Sequence, residues 1–139
     1  MPYTFRNLVF EGGGVKGIAY TGALDVLAEK GINTNIQRIG GTSAGAINAI
    51  LFGLGFTQGE TRDILLSLDF RKFMDDSWGI VPDADRLIKQ FGWYKGDFFR
   101  NWIGKLIKEK TGNSETTFDD IEAMKEKYGF KSLYFMGTN

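Results

Sequence analysis

The sequence predicts an α/β fold built on a parallel sheet covered by helices. Three observations carry that reading. Residues 7–10 (Asn-Leu-Val-Phe) and 37–40 (Gln-Arg-Ile-Gly) are short runs that suit buried strands. Each feeds a glycine-rich turn that opens a helical pattern. A third apolar run, Ser132-Leu-Tyr-Phe-Met136, arrives after a series of helical segments. Strands that alternate with helices pair in parallel, because the crossover helix carries the chain back to the starting edge of the sheet.

Each element has a local reason. Residues 7–10 run straight into Glu11-Gly12-Gly13-Gly14-Val15-Lys16-Gly17. A helix is expected over 17–29, with Ile18, Ala19, Ala23, Val26 and Leu27 on one face and Gly31 as the residue that ends it. The strand at 37–40 leads into Gly41-Thr42-Ser43-Ala44-Gly45 and an apolar run that ends at Phe56. That run is too short to span a bilayer and carries Asn48, so it reads as a buried core helix from 43 to about 52. Thr57 and Glu60 have the spacing of a capping box, opening a helix through Ile64, Leu65 and Leu68. Residues 69–74 read as a short helical piece, 75–82 as a loop carrying Trp78, and 83–91 as a short helix. Asp97 caps the next helix. Its stripe of Phe98, Phe99, Trp102, Ile103, Leu106 and Ile107 faces a core, Lys105, Lys108, Glu109 and Lys110 face away, and Gly112 stops it. Thr117 caps a further helix to Tyr128, with Asp120 in its first turn.

Composition narrows the function. A chain of 139 residues suits one domain. Seventeen basic residues balance seventeen acidic ones, without the clustered excess that a nucleic-acid partner demands. Cysteine is absent, which leaves no disulfide framework or thiolate metal site and fits a reducing compartment. Histidine is absent too, so no Ser-His-Asp arrangement and no histidine metal site can be built from this chain. Neither a metal nor a cofactor is expected, and any nucleophile needs a carboxylate, a lysine or a group from outside the chain. The N-terminus lacks the apolar stretch and cleavage site of a signal peptide. A cytoplasmic or peripheral-membrane location is the expectation.

Two glycine motifs carry the chemistry. Gly41-Thr42-Ser43-Ala44-Gly45 places a serine between glycines where strand meets helix, the pattern of a nucleophile elbow. A glycine–serine loop that caps a buried helix, with Ser43 as N-cap, fits those five residues equally well. Gly12-Gly13-Gly14-Val15-Lys16-Gly17 matches the dinucleotide fingerprint. Against that stands the missing acidic residue at the end of the second strand, and Lys16 is followed by Gly17 rather than the Ser or Thr of a P-loop. The alternative use of such a loop is an oxyanion hole, whose sterically open N–H groups face a developing negative charge. In a parallel sheet both motifs lie on one edge, so Gly13 and Gly14 can face Ser43.

The two motifs together resemble the patatin-like phospholipase family. Tyr94-Lys-Gly-Asp-Phe-Phe99 with Trp102, then Thr117-Phe118, then Gly137-Thr-Asn139 extend the likeness over nearly the whole chain. The resemblance implies a three-layer α/β/α fold with a mostly parallel sheet. It implies lipid acyl hydrolysis by a Ser-Asp dyad, with Ser43 as nucleophile and residues Gly12, Gly13, Gly14, Val15, Lys16 and Gly17 as the oxyanion hole. The substrate class it implies is a lipid ester of the phospholipid type, reached by peripheral contact with a membrane. An acyltransferase on the same elbow and a non-catalytic lipid-binding module are the alternatives.

One feature of the family pattern is missing. Its base is an aspartate followed by Gly-Gly or Gly-Ala, and no Asp here precedes a Gly; Asp83-Ala84-Asp85 is not that motif. A parallel sheet that has just laid down a third strand is also a poor stopping place. The expectation is that residues 1–139 are the N-terminal portion of a single larger domain, truncated after about three strands, with the aspartate beyond Asn139. Lys16 reads as a solvated lysine sooner than a phosphate contact, and Phe70, Phe73, Met74, Trp78, Ile80 and Val81 as core packing sooner than an acyl groove.

Overall fold

A computed structural model of the protein describes residues 3–69, 72 and 96–137. The expectations for residues 73–91, the Asp83-Ala84-Asp85 run, Tyr94, Lys95, Phe70 and the last two residues lie outside them.

The sheet has three parallel strands in the order β1 (Asn7–Phe10), β2 (Arg38–Gly41) and β3 (Ser132–Phe135). Register pairs Phe10 with Gly41 and Gly41 with Phe135, so all three strands end at one level. The helices are α1 (Ala19–Glu29), α2 (Ala44–Gly53), α3 (Gln58–Ser67), α4 (Asp97–Thr111) and α5 (Phe118–Tyr128). Strand alternation explains which face they cover. Leu8, Phe10, Ile39, Leu133 and Phe135 point into two apolar clusters, one under α1 and one between α2, α3, α4 and α5. The opposite face bears Val9 and Tyr134, 75% and 57% exposed. Among the described residues the helices lie on one side of the sheet.

α2 is the central helix. It packs on all three strands and buries Ala44, Gly45, Ile47, Asn48, Ala49, Ile50, Leu51 and Gly53. An apolar sequence on every side requires that position, as expected from the run that ends at Phe56. The capping box at Thr57 and Glu60 is formed, and Thr117 with Asp120 forms a second. α1 ends in a Schellman arrangement: Ile32 N donates to Leu27 O, Gly31 N donates to Ala28 O, and Gly31 sits at φ 67°.

Three details differ from expectation. The chain enters α1 through a 3-10 turn at Gly14–Ile18, so the α-helix begins at Ala19 rather than at Gly17. The buried residue of α1 is Leu24, with Tyr20 and Leu27 partly covered, while Val26 is exposed. Asp97 is not the cap of α4: Gly96 takes that position at φ 76°, and Asp97 is the acid of the first turn. Lys110 does not face away. Its stem folds back so that Nζ lies 4.2 Å from the Phe56 ring centroid and 3.1 Å from Glu60 Oε1.

Candidate active site at the ends of β1 and β2

The site begins with close backbone packing. Thr42 N donates to Phe10 O at 3.3 Å, so the chain leaving β2 stays stitched to the end of β1. It then turns sharply into α2, with Gly45 N donating to Thr42 O at 2.9 Å and Ala46 N to Ser43 O at 2.9 Å. A Cβ at Gly45 would collide with Phe10 O and Glu11 O, and one at Gly41 with the Gly45 carbonyl. The two elbow glycines are therefore steric necessities.

Ser43 is the residue that the turn distorts. It sits at φ 52° and ψ −129°, alone among the described non-glycine residues in having a positive φ. Such a conformation costs an L-residue about 1–3 kcal/mol and persists where the surroundings impose it. Ser43 occupies the N-cap position of α2, yet its side chain makes no capping bond there. It is exposed at the edge of the sheet. The simpler view, in which the hydroxyl caps the helix, is thus not what the geometry adopts.

The glycine-rich loop lies directly against this serine. A Cβ at Gly12 would sit 3.0 Å from Ser43 Cβ and 3.3 Å from Thr42 O. One at Gly17 would sit 3.1 Å from Ala44 Cβ and 3.4 Å from Asn48 Nδ2. Gly12 and Gly17 are thus the loop residues packed against the elbow. Gly13 and Gly14 are exposed, and Gly14 turns the chain at φ 55°. Lys16 N donates to Gly13 O at 3.2 Å, which engages that amide inside the turn. Among the described residues, no acceptor meets the amides of Gly12, Gly13 or Gly14. Val15 and the Lys16 side chain are exposed.

A sequence profile of patatin-like phospholipases matches residues 8–132. The chain belongs to the patatin-like phospholipase family. This patatin-like chain is 40% identical over 106 residues to the uncharacterised protein YqhO of Bacillus subtilis strain 168, covering 73% of the chain and 36% of YqhO. It is 32% identical over 135 residues to the uncharacterised protein R571 of Acanthamoeba polyphaga mimivirus, covering 96% of the chain and 42% of R571. The chain therefore spans less than half the length of these curated relatives. Its fold is similar to ExoU of the Pseudomonas aeruginosa type III secretion system, crystallised with SpcU. The TM-score is 0.68 at 22% identity, over 97% of this chain and 32% of ExoU.

Sequence reading of the patatin-like chain passed over Asn48 as a polar interruption in an apolar run. It is fully buried, and its Nδ2 donates to Gly17 O at 3.2 Å and Ala44 O at 3.1 Å. One amide thereby ties the glycine loop to the first turn of α2. Its position one helical turn after Ala44 was the available signal, because an asparagine in an otherwise apolar helix has to be hydrogen-bonded. The described aspartates include two that are engaged elsewhere: Asp25 pairs with Arg62 at 2.9 Å, and Asp120 closes the cap at Thr117. No described helix is long and apolar enough to cross a membrane.

Proposed function

We propose that this chain carries the nucleophile and anion cradle of a serine lipid acyl hydrolase. Ser43 Oγ attacks the ester carbonyl carbon, and a carboxylate base takes its proton. The carbonyl oxygen becomes an oxyanion beside the Gly12–Gly17 loop, where each well-aimed N–H is worth about 3 kcal/mol in the barrier. Collapse of the tetrahedral species expels the alcohol, which takes up the proton. Water then enters through the same base and releases the acid. The start of α2 adds its positive dipole end to the same place.

The observation that carries this reading is the strained, uncapped Ser43 with Gly12 packed against its Cβ. A structural loop has no use for such strain, whereas an exposed nucleophile does. The family supports an aspartate as the base, and the substrate class is a phospholipid-type ester met at a membrane surface. Within residues 1–139 no aspartate stands in the family's Asp-Gly setting, so the base is assigned to sequence outside them and the isolated chain is expected to be inactive.

Hydrolysis of phospholipid vesicles by the native polypeptide that carries these residues tests the reading. Ser43→Ala is expected to lower the rate more than about a thousandfold, as for removal of other serine nucleophiles. A variant that keeps its activity would sink the proposal.

A further inference from the structure

We propose that Tyr20 and Asn48 are positioning residues that pin the two ends of the Gly12–Gly17 loop, so that its free amides stay where the ester oxyanion forms. This rests on the hydrolase reading above and adds what holds the anion cradle in shape. Gly12, Gly13, Gly14 and Gly17 make up most of the loop. Glycine has the widest choice of backbone conformation, so a loop of this composition does not hold its amides in one direction unaided. Stabilising an oxyanion requires donors that are aimed before the charge develops. Groups outside the loop have to fix it.

One pin stands at the front of the loop. Tyr20 Oη donates to Glu11 O at 3.0 Å. The Tyr20 ring packs edge-on against Phe10, the last residue of β1, with centroids 5.0 Å apart, which holds the hydroxyl in place. The same carbonyl abuts α2, since a Cβ at Gly45 would lie 2.6 Å from Glu11 O. A trans peptide unit is planar, with its C=O and N–H pointing opposite ways. Fixing Glu11 O therefore fixes the direction of the Gly12 N–H, and Gly12 is the loop residue packed against Ser43 Cβ.

The other pin stands at the back. Asn48 Nδ2 donates to Gly17 O at 3.2 Å and to Ala44 O at 3.1 Å, one acceptor in the loop and the other in the first turn of α2. Asn48 Oδ1 is buried and has no hydrogen-bond partner among the described residues. An apolar side chain would fill the same place without leaving a buried acceptor unpaired. The use of an amide here lies in its nitrogen, which reaches the loop and the elbow together. Between the two pins lie the amides of Gly12, Gly13 and Gly14, which no acceptor among the described residues engages.

The test is steady-state hydrolysis of a water-soluble short-chain ester by the native polypeptide, comparing the natural sequence with Tyr20→Phe and Asn48→Ala. Tyr20→Phe keeps the ring and deletes the hydroxyl. It is expected to lower kcat about tenfold, the upper end of what one hydrogen bond is worth, with KM unchanged. Asn48→Ala is expected to lower kcat about a hundredfold, as a small misplacement of catalytic groups does. Loss of folded protein also lowers the apparent kcat, so the deciding readout is affinity for an octyl trifluoromethyl ketone. Ser43 Oγ adds to its carbonyl carbon, the serine proton passes to the base, and the hemiketal oxyanion occupies the cradle. That adduct mimics the transition state, so its affinity should fall by the same factor as kcat/KM in each variant. A smaller fraction of active molecules leaves that affinity unmoved. Unchanged ketone affinity in a folded variant overturns the role of that residue, whatever happens to kcat. If Asn48→Ala fails to fold by circular dichroism, Tyr20→Phe decides alone. Ser43→Ala separates the two claims. Hydrolysis that survives in Ser43→Ala overturns the hydrolase reading and the positioning role with it. Hydrolysis lost in Ser43→Ala but undiminished in Tyr20→Phe and Asn48→Ala overturns the positioning role alone.

Discussion

Ser43 is held at φ 52° by neighbours that leave it no alternative. The elbow glycines bring the start of α2 onto β1, and Gly12 closes the other side. Replacing Ser43 by glycine removes the conformational penalty, and replacing it by alanine does not. Ser43→Gly is expected to be more stable than Ser43→Ala by about 1 kcal/mol in urea unfolding, with both inactive. Equal stability would mean that the serine is unstrained. Two other glycines give opposite signs. Gly45→Ala drives a methyl into the Phe10 and Glu11 carbonyls and should cost at least about 3 kcal/mol, because backbone cannot step aside as a side chain can. Gly22 lies inside α1 with open space where a Cβ would go, so Gly22→Ala should gain about 0.5–1 kcal/mol. Asn48 belongs at this scale too. Asn48→Ala removes the side-chain donor to the Gly17 carbonyl, which ties the glycine loop to α2, and should cost about 1–3 kcal/mol in the same measurement.

The elements are bounded by caps that also set the acid response. Hydrogen bonds from the Thr57 backbone and hydroxyl, joined by Lys110, hold the Glu60 carboxyl below its usual range. Thr117 does the same for Asp120, and Lys125 with Ser132 for Glu122. In each case the folded pKa lies below the unfolded one. The stability they give is complete above the ordinary carboxylate range, about pH 4, and is lost as pH falls through the lowered folded values. Urea unfolding of the natural sequence should therefore weaken between neutral and acid pH. Thr117→Ala should cost about 1 kcal/mol at neutral pH and less in acid, where Asp120 no longer accepts from the cap. A constant cost across that range would count against the cap. The caps at Thr57, Gly31, Gly112 and Thr117 were legible in sequence because their chemistry is local. The face of α1 was misassigned because two apolar stripes compete there, one through Ala19, Ala23 and Val26 and one through Tyr20, Leu24 and Leu27, and only packing on the sheet selects the second. The place of Lys110 depended on Phe56 and Glu60, more than a third of the chain away.

At the scale of the whole molecule, strand alternation and two glycine motifs were enough to bring Gly12–Gly17 and Gly41–Gly45 to one edge of a parallel sheet. The partner of Asn48 across the glycine loop and a cavity lined by Phe99, Ile103 and Ile107 were not legible, since each arises from elements that meet only on folding. The sheet is covered by helices on one side and bears Val9 and Tyr134 on the other, in a chain that spans under half of its curated relatives. The proposed reading puts the nucleophile and anion cradle within residues 1–139 and the base outside them. Mass spectrometry of the Ser43 peptide, after the native polypeptide has reacted with a fluorophosphonate, reads out the nucleophile itself. An adduct on Ser43 is expected, lost in Ser43→Ala and nearly absent when residues 1–139 are treated alone. A folded polypeptide that hydrolyses lipid ester while Ser43 stays unmodified would contradict the proposed reading.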